Sequence, residues 1–119
     1  MKKIILTVLF IALAATLVND IGRYAKARYD LSKIALETID NTSGSREQSR
    51  DQNARDAAQF AASRGAVVYA YDEDDEQIRV WLQMPVEGTW VLGPLMAVLA
   101  QQPWDTPYLV HHEESGFFR

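Results

Sequence analysis

Two short runs contain the residue types from which a binding or catalytic site is built. Asp72, Glu73, Asp74, Asp75 and Glu76 place five carboxylates in succession, enough oxygen ligands for a calcium ion. His111 and His112 stand beside Glu113 and Glu114, residue types that serve as transition-metal ligands or as acid-base pairs. Spacing argues against both. A calcium loop distributes its ligands around a central glycine, which the acidic run lacks, so it reads as the solvated tip of a hairpin. Neighbours in a strand point to opposite faces, so only one member of each His or Glu pair faces a given site, and both pairs read as structural or surface residues. The chain has no cysteine, which excludes disulfides and thiolate metal sites. It also has no Gly-rich phosphate loop, nucleophile elbow or spaced ligand set. No catalytic residue, metal, cofactor or small-molecule substrate is expected. A formal charge of -4 gives no reason to expect nucleic acid, whose binding is dominated by Lys and Arg on phosphates.

The elements that would carry any other function begin with the first 40 residues. Met1, Lys2 and Lys3 lead into Ile4 to Asn19, sixteen residues without a charge. A transmembrane helix needs about 20 mostly apolar residues, so this run sits at the boundary between an anchor and a cleaved export signal, for which Ala12-Leu13-Ala14 supplies a small-x-small site. The helical pattern continues past the run: Leu17, Ile21, Tyr24, Arg28, Leu31 and Ala35 recur at spacings of four and three, one face of a helix. Ile34 and Ile39 extend an adjacent stripe, and no proline occurs before residue 85. The segment is therefore expected to be one helix from Ile4 to Ile39, about 54 Å long, with the apolar start in a membrane and the amphipathic remainder as a stalk.

Orientation draws on two opposed signals. Arg23, Lys26, Arg28 and Lys33 follow the apolar run and outnumber Lys2 and Lys3 before it, which by the positive-inside rule favours a cytoplasmic C-terminal part. A Lys-Lys pair followed by an apolar run is instead the arrangement of an export signal. The export-signal arrangement is given the greater weight, so the C-terminal part is expected to be extracytoplasmic.

Val18-Asn19-Asp20-Ile21-Gly22-Arg23-Tyr24, followed by Arg28-Tyr29-Asp30-Leu31 and Ile34-Ala35-Leu36, resembles the juxtamembrane stretch of the TadE and TadG-like proteins of tight-adherence pilus assembly. The resemblance implies an apolar anchor, an alanine-rich helix and a small β-containing extracytoplasmic domain, in a single-pass protein of the bacterial cytoplasmic membrane. The glycine before the cleavage point and the early glutamate of processed members do not occur before Asn19. The implied role is therefore that of an accessory or minor pilin-like component rather than a major shaft subunit.

Beyond the anchor, 100 residues remain, enough for one small core. Asp40-Asn41-Thr42-Ser43-Gly44-Ser45 reads as a loop or hinge. Ser45 or Ser49 can cap a second helix, whose narrow face is Ala54, Ala57, Ala58, Ala61 and Ala62 with Phe60, ending at Gly65. Ala66 to Tyr71 and Ile78 to Met84 flank the acidic run as a hairpin, with Ile78, Val80, Leu82 and Met84 facing the alanine-rich helix. Trp90-Val91-Leu92 is expected as a third short strand, Pro94 to Gln101 as an apolar helix, Tyr108 to His111 as a last strand and Ser115 to Arg119 as a tail. The fold class is α+β: a long N-terminal membrane-anchored helix (1–40), a hinge (41–45) and a small domain with a helix packed on a short antiparallel sheet (46–119).

The expected function is assembly. As a pilin-like structural or accessory subunit, the chain would pack against copies of itself or other pilus-assembly proteins through Leu17, Asp20, Ile21, Gly22, Arg23, Tyr24, Arg28, Leu31 and Ala35. Asp20 would meet a neighbour's basic residue and Gly22 would permit close approach. The competing expectation is a membrane-tethered or secreted binding module without a filament role, presenting Trp81, Trp90, Trp104, Phe117 and Phe118, since aromatics are enriched at interfaces. The two phenylalanines either tuck into the core or dock on a partner. A cytoplasm-facing regulator is the third possibility.

Overall fold

An unbroken run of good helix formers makes the first element a single helix, α1, from Lys2 to Thr42, 41 residues and about 62 Å long. It is followed by α2 (Arg50–Ser63), β1 (Val67–Glu73), β2 (Gln77–Pro85), α3 (Leu92–Leu99) and β3 (Leu109–Phe117), an α+β order. The structure, a computed structural model, describes residues 1–103 and 106–119. The chain divides into two compact units, 1–27 with 85–108 and 28–84 with 109–119. Residues 85–108 thus group with the start of α1 and apart from the remainder of 46–119.

In the second unit, the later part of α1 supplies half of a small core. Leu31, Ile34, Ala35 and Ile39 are buried on one face, the stripe that the spacing of three and four defines. Thr38 and Thr42 are also buried, and each hydroxyl is satisfied on the carbonyl four residues back, at 2.7 and 2.9 Å. The other half comes from Ala57 and Ala61 of α2, Ile78, Val80 and Leu82 of β2, and Val110 of β3. Ser49 caps α2, accepting the Gln52 N–H at 3.2 Å. Gly65 ends the turn after α2 with φ +91°, a backbone that L side chains resist. Alanines at the buried positions let α2 lie close against β1.

The sheet order is β1-β2-β3. β1 and β2 form the expected hairpin, with Val68 opposite Leu82 and Tyr71 opposite Val80. The register slips by one residue between Val68 and Ala70, so Tyr69 is an extra residue, a β-bulge. β3 runs antiparallel to β2, with the Phe118 N–H on the Glu76 carbonyl just beyond one end and the Val86 N–H on the Tyr108 carbonyl beyond the other. β3 is longer than Tyr108 to His111, because Ser115 to Phe117 continue the strand. Gly116 lies against Ile39, where a Cβ would collide with the isoleucine. Arg119 closes the end of α1, its guanidinium donating to the Asp40 carbonyl and the Ser43 hydroxyl at 2.8 Å each.

In the first unit, Trp90-Val91-Leu92 is not a strand. Leu92 opens α3, and Val91 occupies the helix boundary. Pro94 falls in the first turn, where its missing N–H costs nothing.

Candidate functional site

The N-terminal part of α1 has the composition of a membrane element. Ile4, Ile5, Leu6, Val8, Leu9, Phe10, Ile11 and Leu13 are all exposed, the reverse of a helix in a soluble core. Among the described residues, α1 is the one helix long and apolar enough to cross a membrane, as an anchor or a signal sequence. The hydroxyls in this stretch turn back on the helix: Thr7 donates to the Lys3 carbonyl at 2.8 Å and Thr16 to the Ala12 carbonyl at 2.9 Å. Neither needs water, which a hydrocarbon surround requires.

Just past the apolar run, Asn19 and Asp20 gather the loop that precedes α3. Asp20 is 6% exposed. One carboxylate oxygen accepts the Trp90 N–H at 2.7 Å, and the other accepts those of Val91 at 2.9 Å and Leu92 at 2.8 Å. Asn19 donates to the Gly88 carbonyl at 2.9 Å and to Asp20 at 3.0 Å. Asp20 is thus the cap of α3, whose own boundary residue Val91 has no side chain able to serve. Burial alone would raise its pKa. The three backbone donors and Asn19 outweigh burial and hold it at about 2, below its ordinary 3.8. An ionised carboxylate at the positive end of a helix dipole is also electrostatically favoured.

Beside this cap lies an apolar pocket of about 410 Å³, lined along α1 from Leu13 to Tyr24, along α3 from Val91 to Leu95, and by Tyr108. Tyr24 stacks on Tyr108 with ring centroids 6.2 Å apart.

The residues expected to form an assembly face are divided by the fold. Leu17 and Ile21 are exposed. Gly22 has nothing within 4 Å of where a Cβ would stand, among the described residues. Arg23 passes Gly88, and Arg28 is exposed and has interactions of its own. Leu31 and Ala35, at 1% and 0% exposure, are core residues of their own chain, so they are corrected out of the assembly face. Asp20 is corrected too, because its carboxylate is taken up within the chain.

Of the aromatics, Trp90 and Phe117 are 60% and 67% exposed, while Trp81 and Phe118 are half-buried. Trp81 lies 5.9 Å from the Arg79 guanidinium, which also pairs with Glu113 at 3.4 Å. Trp104 lies outside the described residues.

Three carboxylates of the acidic run, those of Asp72, Glu73 and Asp74, have partners within the chain. Asp74 accepts the Glu76 and Gln77 N–H groups at 2.8 and 2.7 Å, and those bonds lower its pKa. Asp72 pairs with Arg50 at 2.9 Å, and Glu73 accepts from Asn53 and Tyr71. Burial, with the Glu73 carboxylate adding to it, pushes the Tyr71 phenol up. His112 and Glu114 share one face of β3 and meet at 2.8 Å, as alternation requires. No group of three or more potential ligands comes together among the described residues. The capping role of Asp20 was not legible as such, although an acidic residue just beyond the apolar run was.

Compared with protein-family models, curated proteins and solved structures, the chain has no match.

Proposed function

We propose that this chain is a single-pass, membrane-anchored, pilin-like accessory subunit of a pilus or secretion assembly of the bacterial envelope. Residues Ile4 to Val18 lie in the cytoplasmic membrane and the chain beyond them lies on the extracytoplasmic side. It acts by helix packing and protein contact, without catalysis. One observation carries the reading: α1 is a single helix from Lys2 to Thr42, apolar and exposed through its first four turns and built into a folded core through Leu31, Ile34, Ala35 and Ile39. A cleaved signal has no need of mechanical continuity with the core, whereas an anchor that positions a subunit does. With Leu31, Ala35 and Asp20 taken up within the chain, the exposed face for neighbours is Leu17, Ile21 and Gly22, with Arg23 beside them.

Intact mass of the membrane-extracted protein tests the anchor: retention of Ile4 to Val18 supports it, and a mature start near Ala15 overturns it. A photo-crosslinking residue at Ile21 tests assembly. Adducts with a second copy or another pilin-like protein that vanish in Gly22→Leu support the proposal. Nothing among the described residues lies within 4 Å of a Cβ at this position, so insertion and folding should be retained. Adducts unchanged in Gly22→Leu, or none at Ile21, overturn it.

A further inference from the structure

We infer that α3 is a second membrane-embedded element, lying in the bilayer interface beside the anchor with Leu95, Val98 and Leu99 among lipid acyl chains and Trp90 near the headgroups. This rests on the reading of α1 as the anchor. The first observation is the distribution of side chains on α3. Its buried residues are Gly93 and Ala97, whereas Leu95, Val98 and Leu99 are 51%, 60% and 69% exposed. A helix in water buries its large apolar side chains and exposes the rest. Small residues inward and large ones outward is the arrangement of a helix whose solvent is lipid.

The second observation is continuity. Leu95 lines the same apolar pocket as Leu13 and Leu17, which lie on the membrane side of Asp20 in the sequence. The exposed apolar surface of α3 thus adjoins that of the anchor. No charged residue occurs from Gly88 to Trp104. At about 12 Å, α3 is too short to span a bilayer and of the right size for the interface.

The third observation is that the helix start needs no water. The first N–H groups of a helix have no partner within it, and leaving them bare in lipid costs several kcal/mol each. Here Trp90, Val91 and Leu92 donate to Asp20, Gly93 donates to the Thr89 hydroxyl at 3.1 Å, Pro94 has no N–H, and Leu95 begins the helical ladder on the Val91 carbonyl at 2.9 Å. Every donor at this end is accounted for. Trp90, exposed at the same level, is of the residue type that settles at membrane-water interfaces.

The chain has no cysteine, so single nitroxide labels can be placed cleanly in the full-length protein in phosphatidylethanolamine-phosphatidylglycerol vesicles. Leu99→Cys reports α3, Leu9→Cys the anchor and Glu47→Cys an aqueous reference. The expected result is that labels at positions 9 and 99 both collide with oxygen and lose collisions with a water-soluble nickel chelate, position 99 being the shallower. Nickel access at position 99 equal to that at 47, with position 9 still lipid-exposed, overturns the inference and leaves the anchor intact. Access to neither reagent at position 99 means that protein, a second copy, covers α3, and also overturns it. Nickel access at position 9 overturns the anchor reading itself, and this inference with it. In Asp20→Ala the label at position 99 should gain nickel access while that at 9 does not; no change would overturn the role given to the cap.

Discussion

The carboxylate of Asp20 accepts the backbone N–H of Leu92 at 2.8 Å across 72 residues of sequence, so the start of α3 is held by a residue of α1. Helix caps are usually supplied from the residue just before the helix. A cap borrowed from so far away makes α3 conditional on the fold around Asp20. Asp20→Ala should therefore release the segment from Trp90 to Leu92, at a cost of about 2–3 kcal/mol for three charge-assisted bonds acting on one site. Hydrogen exchange of the Val91 and Leu92 amides in micelles reads this directly. Asp20→Asn, which keeps one acceptor oxygen, should lose less protection than Asp20→Ala.

The same carboxylate gives the first unit an acid limit. Folding lowers the Asp20 pKa from 3.8 to about 2, so the folded state resists protonation and the contribution is complete above about pH 4. It is lost as pH falls through 2, and amounts to about 2 kcal/mol. Thermal melts of the full chain between pH 5 and pH 2 should show wild type losing its advantage over Asp20→Asn across that window. A constant difference between the two would contradict this assignment.

Gly116 and Ile39 are in such close contact that a methyl group cannot be inserted between β3 and α1. Gly116→Ala should destabilise the second unit by about 1–3 kcal/mol, the usual cost of overpacking. In chemical denaturation, combining it with Ile39→Ala should cost less than the sum of the two single changes, because the truncation makes the room that the new methyl needs.

Asn53 is fully buried and its Oδ1 has no hydrogen-bond partner among the described residues; its Nδ2 reaches Glu73 at 3.2 Å. Leucine removes the unpartnered acceptor, whose burial costs about 1–3 kcal/mol, while the half-buried Glu73 carboxylate keeps the bond it accepts from the Tyr71 hydroxyl. Asn53→Leu should therefore leave the denaturation midpoint unchanged or raise it. Asn53→Asp should lower stability by about 3 kcal/mol, since it buries a charge facing the Glu73 carboxylate.

The fold was largely legible where one local rule dominates. The three-and-four spacing from Leu17 to Ala35 marked a single helix, and alternation from Ile78 to Leu82 marked a strand with one buried face. What periodicity does not reveal is which chain covers a stripe. Leu31 and Ala35 looked like an assembly face, and their own core covers them. Trp90-Val91-Leu92 has the aromatic and branched residues of a strand, but Pro94 and the Asp20 cap draw it into a helix start. The bulge at Tyr69 inserts a single residue, too local a change for an alternation pattern to reveal. Asp20 itself stood out as an acid at the edge of an apolar run, yet its partners lie some 70 residues away and are backbone groups, which leave no mark on side-chain identity.

The bulge at Tyr69 also shapes the open edge of the sheet. A three-stranded sheet has two open edges, each a template onto which another strand can polymerise. At the β1 edge, Tyr69 breaks the regular spacing of backbone donors and acceptors, and Asp72 and Glu73 set negative charge along the same strand. Both are devices that blunt strand addition. Growth from that edge into an amyloid-like ribbon is thereby disfavoured.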